Sequence, residues 1–100
     1  MYRLLLHPNV EKQLSKIPTS YARRIADAIR ALREEPRPVP QSKHLNQELY
    51  RVREGDYRIV YAVFDQQQTV FIGKVARRSE KVYRDLIALL AAAREAAEKP

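Results

Sequence analysis

The 100-residue chain has no cysteine. That excludes disulfides, thiol nucleophiles and thiolate metal sites. It also fits a reducing compartment, and a cytoplasmic location is expected. Long apolar runs are missing as well. Leu86–Ala93, the longest, falls far short of a bilayer span. The N-terminal YRLLL is too short for a signal segment, and no small-residue cleavage site follows it, so no membrane association is expected. There are two histidines, His7 and His44. His7 ends an apolar run beside Pro8 and reads as structural, which leaves His44 as the weaker candidate for proton transfer. No glycine-rich run precedes a lysine, so a phosphate-binding loop is absent. The carboxylates Glu54, Asp56, Asp65 and Glu80 scatter around turns without metal-ligand spacing. Neither a metal nor a cofactor is expected.

Positive charge is what the chain has in excess: 19 Lys and Arg against 12 Asp and Glu, a net +7. Residues 1–48 hold 9 basic and 5 acidic residues (+4), and residues 49–84 hold 8 and 4 (+4). Residues 85–100 hold 2 and 3 (−1), so the surplus lies in the folded body and not in a basic tail. A face for a polyanion is the functional reading, and solubility the plain one.

One domain is expected over residues 1–100, with its core in about 2–90 and a tail at 91–100 prone to fray. Tyr2–His7 reads as a strand closed by Pro8. Val10, Leu14 and Ile17 then make a helical stripe. Pro18 breaks it, Thr19 and Ser20 offer a cap, and a second helix is predicted to Glu35, with Ala22, Ile25, Ala28 or Ile29, and Leu32 on its apolar side. PRPVP at 36–40 is a stiff linker, and QSKHLNQE reads as irregular. Leu49–Arg53, Tyr57–Phe64 and Thr69–Ala76 follow as a strand meander, turning at EGD and DQQQ. From Glu80 the period returns to helical through Val82, Leu86, Leu89 or Leu90, and Ala93, with Ser79 as a cap. The order β-α-α-β-β-β-α predicts an α+β fold. A small mixed or antiparallel sheet carries an N-terminal helical hairpin on one face, and the first strand pairs in parallel with a central strand of the meander.

LYRVREGDYRIVYAVF (49–64) crowds three arginines into this sheet. Strand alternation points Arg51 and Arg53 the same way and puts Arg58 with Val60 and Ala62. The pattern leaves open which side meets the helices. Arginines can lie over apolar neighbours or pair with Glu54 and Asp56. Three brought close repel one another unless an anion visits, and a guanidinium suits a phosphate because its fork binds it bidentately. ARRSEKVY (76–83) adds Arg77, Arg78 and Tyr83. Tyr83 can be a core aromatic, or a phenol at the mouth of a basic cleft. In the second case positive neighbours favour phenolate, and the arginines can stabilise a phosphorane-like transition state.

LYRVREGDYRIVYAVFD followed by VARRSEKVY resembles the RelE/ParE toxin superfamily. HPNVEKQLSKI and AIRALREEPRP extend the likeness over residues 2–90. The resemblance implies the toxin of a toxin–antitoxin system, neutralised by a cognate antitoxin in a hetero-oligomer. For the RelE-like branch it implies a metal-independent endoribonuclease that enters the ribosome and cuts mRNA in the A site by 2′-OH attack. It assigns catalytic places to Tyr83, Arg58, Arg51 and Arg53, and to Arg77 or Arg78, with Arg77 preferred. RNA contacts then fall to Arg78, Lys74, Lys81, Arg23, Arg24, Arg30, Lys43 and His44. Two departures stand out: arginine fills both places on the first meander strand where lysine is common, and RR replaces HR before VY. The ParE-like alternative is a DNA gyrase inhibitor, and a further one is a non-catalytic nucleic-acid-binding protein.

Overall fold

Proline sets the first boundaries. A computed structural model describes residues 1–79 and 81–99. Strand β1 (Arg3–Leu6) ends before Pro8, which sits in helical conformation and opens α1 (Asn9–Ser15). The His7 ring nitrogen Nδ1 accepts the Asn9 N–H at 3.1 Å, a structural role at the entry to this helix. Pro18 turns extended and α2 (Thr19–Ala31) begins directly after it. Thr19 and Ser20 thus lie inside the first turn, and no side chain caps the helix. At its other end α2 tightens into i→i+3 bonds at Leu32, Arg33 and Glu34, short of the expected Glu35, because Pro36 disfavours helix at the residue before it. Ile25, Ile29 and Leu32 are buried along one stripe.

The proline segment is seated on the protein rather than spanning free. The buried Tyr61 hydroxyl donates to the Pro36 carbonyl at 2.7 Å, and the Val39–Pro40 peptide is cis. The chain then forms a strand the sequence pattern does not announce, β2 (Ser42–Asn46). Its residues are polar except for Leu45, and it lies at the sheet edge, where polar side chains and lysine are suited. β3 (Leu49–Glu54), β4 (Tyr57–Phe64) and β5 (Thr69–Arg77) make the expected meander. Gly55, with φ +60°, leads the two-residue turn between β3 and β4, a place that favours glycine. The sheet order is β1-β5-β4-β3-β2, all antiparallel except β1 against β5. The parallel partner of β1 is therefore the last strand of the meander rather than its middle one.

Each face of the sheet has its own core. Tyr57, Ile59, Tyr61 and Val63 of β4 face α1 and α2, joined by Val10, Ile25, Ile29 and Leu32. Leu49, Ala62, Phe64 and Phe71 face α3 (Leu86–Glu98), packing on Leu90, Ala93 and Ala97. A bulge opposite Val60 and Tyr61 contains Gly73, where a Cβ would lie 1.8 Å from Leu89 Cδ2, so α3 rests directly on this glycine.

The last helix starts later than expected. Glu80 lies outside the described residues, residues 82–85 form a turn, and Asp85 takes φ +62° before α3 begins at Leu86. Ser79 therefore does not cap α3. Val82 has the spacing of a helical stripe with Leu86, but it finds its burial in the turn, against Val60 and Ala76. α3 continues to Glu98, through the stretch expected to fray, and the Arg3 guanidinium donates to the carbonyls of Ala97 (3.2 Å) and Lys99 (2.9 Å) at its end. Among the described residues no helix is long and apolar enough to cross a membrane.

Candidate active-site cleft

Strand alternation and the short reach of α3 together build the site. Leu49, Arg51 and Arg53 project to the α3 side of β3, and Arg58, Val60 and Ala62 to the same side of β4. α3 covers the apolar end of this face, at Leu49, Ala62, Phe64 and Phe71. The arginine end stays open. There Arg53 stands directly opposite Arg58, and Arg51 opposite Val60. A cleft of about 590 Å³ results. Arg51, Arg53 and Arg58 form one wall, and Arg78, Lys81, Val82, Tyr83 and Arg84 the other. Burial of Val82 fixes the adjacent residue, and Tyr83 projects into the cleft 49% exposed.

The electrostatics are one-sided. Arg58 is held by donating Nη1 to the carbonyls of Gly55 (3.1 Å) and Tyr57 (2.9 Å). Burial, then the charges of Arg51 and Arg53, and more weakly that of Arg78, push its pKa below the usual arginine value; Tyr83 works the other way. It stays charged in any ordinary buffer. Among the described residues, the buried Nε–H of Arg51 has no hydrogen-bond acceptor. Among the described residues, one carboxylate pairs with a cleft cation: Asp56 with Arg78, at 3.8 Å and well exposed. A cluster of cations met by one exposed carboxylate among the described residues is poorly arranged for stability and well arranged to receive an anion.

The structure sorts the sequence candidates by face. Tyr83, Arg51, Arg53, Arg58, Arg78 and Lys81 line the same cleft. Arg77 does not. It pairs across the sheet with Tyr57, its guanidinium lies 5.9 Å from that ring, and it lines a groove on the α1–α2 side. Alternation forces this, because a residue opposite Tyr57 shares its face. Arg78 donates its N–H to the Asp56 carbonyl at 2.8 Å and takes the place in the cleft that the preference for Arg77 had assigned. Lys74 reaches the Lys81 carbonyl at 2.9 Å and ties the tyrosine turn to the sheet. Lys43 stands opposite Arg51 across β2 and β3, so it extends the cation row on the cleft side. His44 is opposite Tyr50 on the other side; their rings lie 5.0 Å apart, and Nε2 bonds the Gln47 carbonyl at 2.7 Å. Arg23, Arg24 and Arg30 ride on α2, across the sheet from the cleft; Arg24 meets Glu54 at 3.3 Å and Arg30 pairs with Asp27. Arg84 is the cleft residue that pattern reading missed, since it was placed within a continuous helix. Among the described residues no group of three or more His, Cys, Asp or Glu side chains is placed to hold a metal.

Comparison with known proteins decides the family. The ParE toxin family, toxins of type II toxin–antitoxin systems of the parDE kind, matches residues 4–82. The chain belongs to the RelE/ParE toxins. Within that family its similarities are to RelE. It is 31% identical over 88 residues to RelE1 of Methanocaldococcus jannaschii, a match covering 84% of this chain and 97% of the relative. The crystal structure of the RelE–RelB complex from Pyrococcus horikoshii contains a chain 32% identical, with a TM-score of 0.69, covering 79% of this toxin and 97% of that chain. The toxin–antitoxin complex RelBE2 of Mycobacterium tuberculosis gives 25% identity and a TM-score of 0.66, over 77% and 98% of the two chains. This toxin is thus a RelE-like member of a type II toxin–antitoxin family.

Proposed function

We propose that this toxin is a ribosome-dependent endoribonuclease that cuts mRNA in the A site, and that the arginine cleft holds the scissile phosphate. The observation that carries the reading is the half-exposed Tyr83 in one cleft with Arg51, Arg53 and Arg58. In the reaction the ribose 2′-oxygen attacks the adjacent phosphorus. Its proton passes to the Tyr83 oxygen, acting as phenolate, and the bond from phosphorus to the 5′-oxygen breaks. The products are a 2′,3′-cyclic phosphate and a 5′-hydroxyl. Arg58 and Arg78 offset the charge that grows on the non-bridging oxygens, and Arg51 adds a third guanidinium to the same cleft. Arg53 and Lys43 grip neighbouring phosphates.

The leaving 5′-oxygen needs a proton. A guanidinium gives one up too reluctantly, and the cleft is lined by no histidine. Lys81 is the lining side chain whose ammonium can donate it. Its role in this reading is therefore general acid, beyond the RNA contact its position in the sequence suggests. Every group named is a side chain of the toxin, which suits chemistry without a metal.

Mapped cleavage on programmed ribosomes tests the assignment. Tyr83→Phe is expected to lower cleavage about 10²-fold while ribosome binding persists, and a 2′-deoxy nucleotide at the cut position is expected to block the reaction. A message with sulfur in place of the leaving 5′-oxygen, which departs without protonation, is expected to restore cutting by Lys81→Met but not by Tyr83→Phe. Unchanged cleavage by Tyr83→Phe overturns the mechanism.

The relatives solved as RelE–RelB and RelBE2 complexes support a cognate antitoxin as partner. The net charge of +7 suits an acidic one that covers the cleft cations. A neighbouring gene encoding a short acidic protein is the expected companion. The match to the ParE toxin family favours a second reading, inhibition of DNA gyrase, in which the cleft arginines make protein contacts. A supercoiling assay separates the two: inhibition that survives Tyr83→Phe supports gyrase, and mapped cuts in mRNA support the nuclease.

A further inference from the structure

A second basic surface, facing away from the cleft, contains an exposed aromatic ring. Tyr21, on the first turn of α2, is 44% exposed. Its ring leans on Tyr57, with centroids 5.8 Å apart and planes at 50°. The Arg24 guanidinium lies 5.8 Å from the Tyr21 ring, and that of Arg77 lies 5.9 Å from the Tyr57 ring. Beside this pair runs a groove of about 410 Å³, lined in part by Lys16, Pro18, Tyr57 and Arg77. Tyr57 is 5% exposed and so serves as a backing that fixes the angle of Tyr21 rather than as a surface of its own. Arg24 meets Glu54 at 3.3 Å, a pair that is partly solvated and weak enough to exchange partners.

A ring held in place by a second ring, with cations around it, is the arrangement on which unpaired bases stack. The groove sets the cations Lys16, Lys74 and Arg77 beside the apolar Ile17, Val75 and Ala76, so the face of a base and its phosphate both find contacts on one surface. Continuity with the cleft identifies the source of the base. Arg77 and Arg78 are consecutive at the end of β5, yet Arg77 lines the groove and Arg78 the cleft. A strand whose phosphate is held in the cleft and which leaves past Arg78 meets Arg77 next.

We propose that the message strand leaving the cleft turns around the end of the sheet and stacks one unpaired base on Tyr21, its phosphate held by Lys16 and Arg77. This rests on the nuclease reading of the cleft but adds a site of its own. Tyr21 is then a residue that sets how much of the message the toxin grips, and Arg77 acts in RNA binding rather than in catalysis.

The test measures affinity for a series of single-stranded RNAs extended one nucleotide at a time, with 2′-fluorine in place of the hydroxyls so that none is cut. For the native toxin, affinity is expected to rise in two stages. Tyr21→Leu, which keeps bulk but loses the ring face, is expected to remove the second stage and lower affinity for the longer RNAs about tenfold. It should leave the shortest ones unchanged. Tyr21→Phe is expected to retain both stages, which separates stacking from any need for the hydroxyl. Tyr83→Leu is expected to affect every length. An identical length profile for Tyr21→Leu and native toxin overturns the proposal, as does failure of every length to bind. Loss of the second stage in Lys16→Ala but not in Tyr21→Leu overturns the stacking and leaves only a point charge. The nuclease reading fails separately, by unchanged cleavage in Tyr83→Phe.

Discussion

On the face that carries α1 and α2, arginines near the sheet are provided with oxygen partners. Arg37 donates Nε to the Tyr50 hydroxyl at 3.0 Å and Nη2 to Asp65 at 2.8 Å, and Tyr2 donates to the same carboxylate at 2.6 Å. These bonds fasten β1, the proline segment, β3 and the β4–β5 turn to one another. On the other face, Arg51, Arg53 and Arg58 stand on adjacent strands, and among the described residues none of them has an ion pair. Both sets are arginines on or beside the same strands, and they differ in what completes them. The first set is satisfied by the chain and holds layers together. In the second, Arg58 bonds two backbone carbonyls but none of the three meets a carboxylate among the described residues, and their mutual repulsion is a standing cost that a bound anion offsets.

The sharpest way to break this contrast is to remove one arginine from each side. Arg58→Ala is expected to reduce mRNA cleavage about 10²- to 10³-fold, the usual effect of deleting a preorganised transition-state donor. Its thermal midpoint should hold or rise, because the lost bonds to Gly55 and Tyr57 are balanced by relief from Arg51 and Arg53. Arg37→Ala should do the reverse: a loss of about 1–2 kcal/mol in stability, from a Tyr50 hydroxyl left without its donor and an Asp65 carboxylate left with Tyr2 alone, with cleavage by the folded fraction unchanged. Denaturant titration and a cleavage assay on the same preparations check both. If Arg58→Ala destabilises the fold as much as Arg37→Ala does, the two faces do not differ in the way described.

A smaller effect is expected where the cleft face changes from open to covered. Gly73 lies under Leu89, and any side chain there meets Leu89 Cδ2. Gly73→Val should displace the Leu89 side chain and the first turn of α3, and cost about 1–3 kcal/mol by overpacking. It should reach the site as well, since Leu86 of α3 and Val82 beside Tyr83 share one small cluster with Val60 and Ala76. Cleavage falling together with stability in this variant, and separately in Arg58→Ala, would distinguish a site disturbed through its support from one disturbed directly.

How far these features can be read from the sequence follows from what fixes them. Strand alternation puts Arg51 and Arg53 on one face, and the two-residue turn at Gly55 brings Arg58 opposite Arg53; the sequence shows the first and suggests the second, but not which side meets the helices. The place of Arg77 is not legible, although the same alternation governs it: deciding between Arg77 and Arg78 needs the register of β4 on β5, and the bulge at Gly73 shifts that register by one residue. β2 escapes notice because its side chains are polar, and backbone pairing with β3 defines it. The start of α3 misleads for a third reason. Val82 and Leu86 satisfy a helical period, while Asp85 adopts a left-handed conformation between them that an aspartate's local sequence does not announce. In each case the missing information lies in a partner strand or a single dihedral angle.

The smallest expected effect concerns pH and belongs to the helical face alone. The Tyr2 hydroxyl, and after it Arg37, hold the Asp65 carboxyl below its usual range. A depressed carboxyl contributes stability above its unfolded pKa of about 4, and that contribution is lost as pH falls through the folded value. Tyr2 is shifted the other way: its hydrogen bond to Asp65 raises the phenol above its usual value. That contribution is present below about pH 10 and lost as pH rises through the raised value. The Tyr2–Asp65 bond is therefore complete only between the two limits. Asp65→Asn should narrow the difference from the native toxin at both extremes of a melting-temperature profile and leave it largest near neutrality. The change is modest, because both groups are solvent-accessible. Tyr2→Phe should remove the alkaline limb and weaken the acid one, since Arg37 still holds the carboxylate. A constant offset between native and Asp65→Asn profiles at every pH would mean that the carboxylate acts there by shape and not by charge.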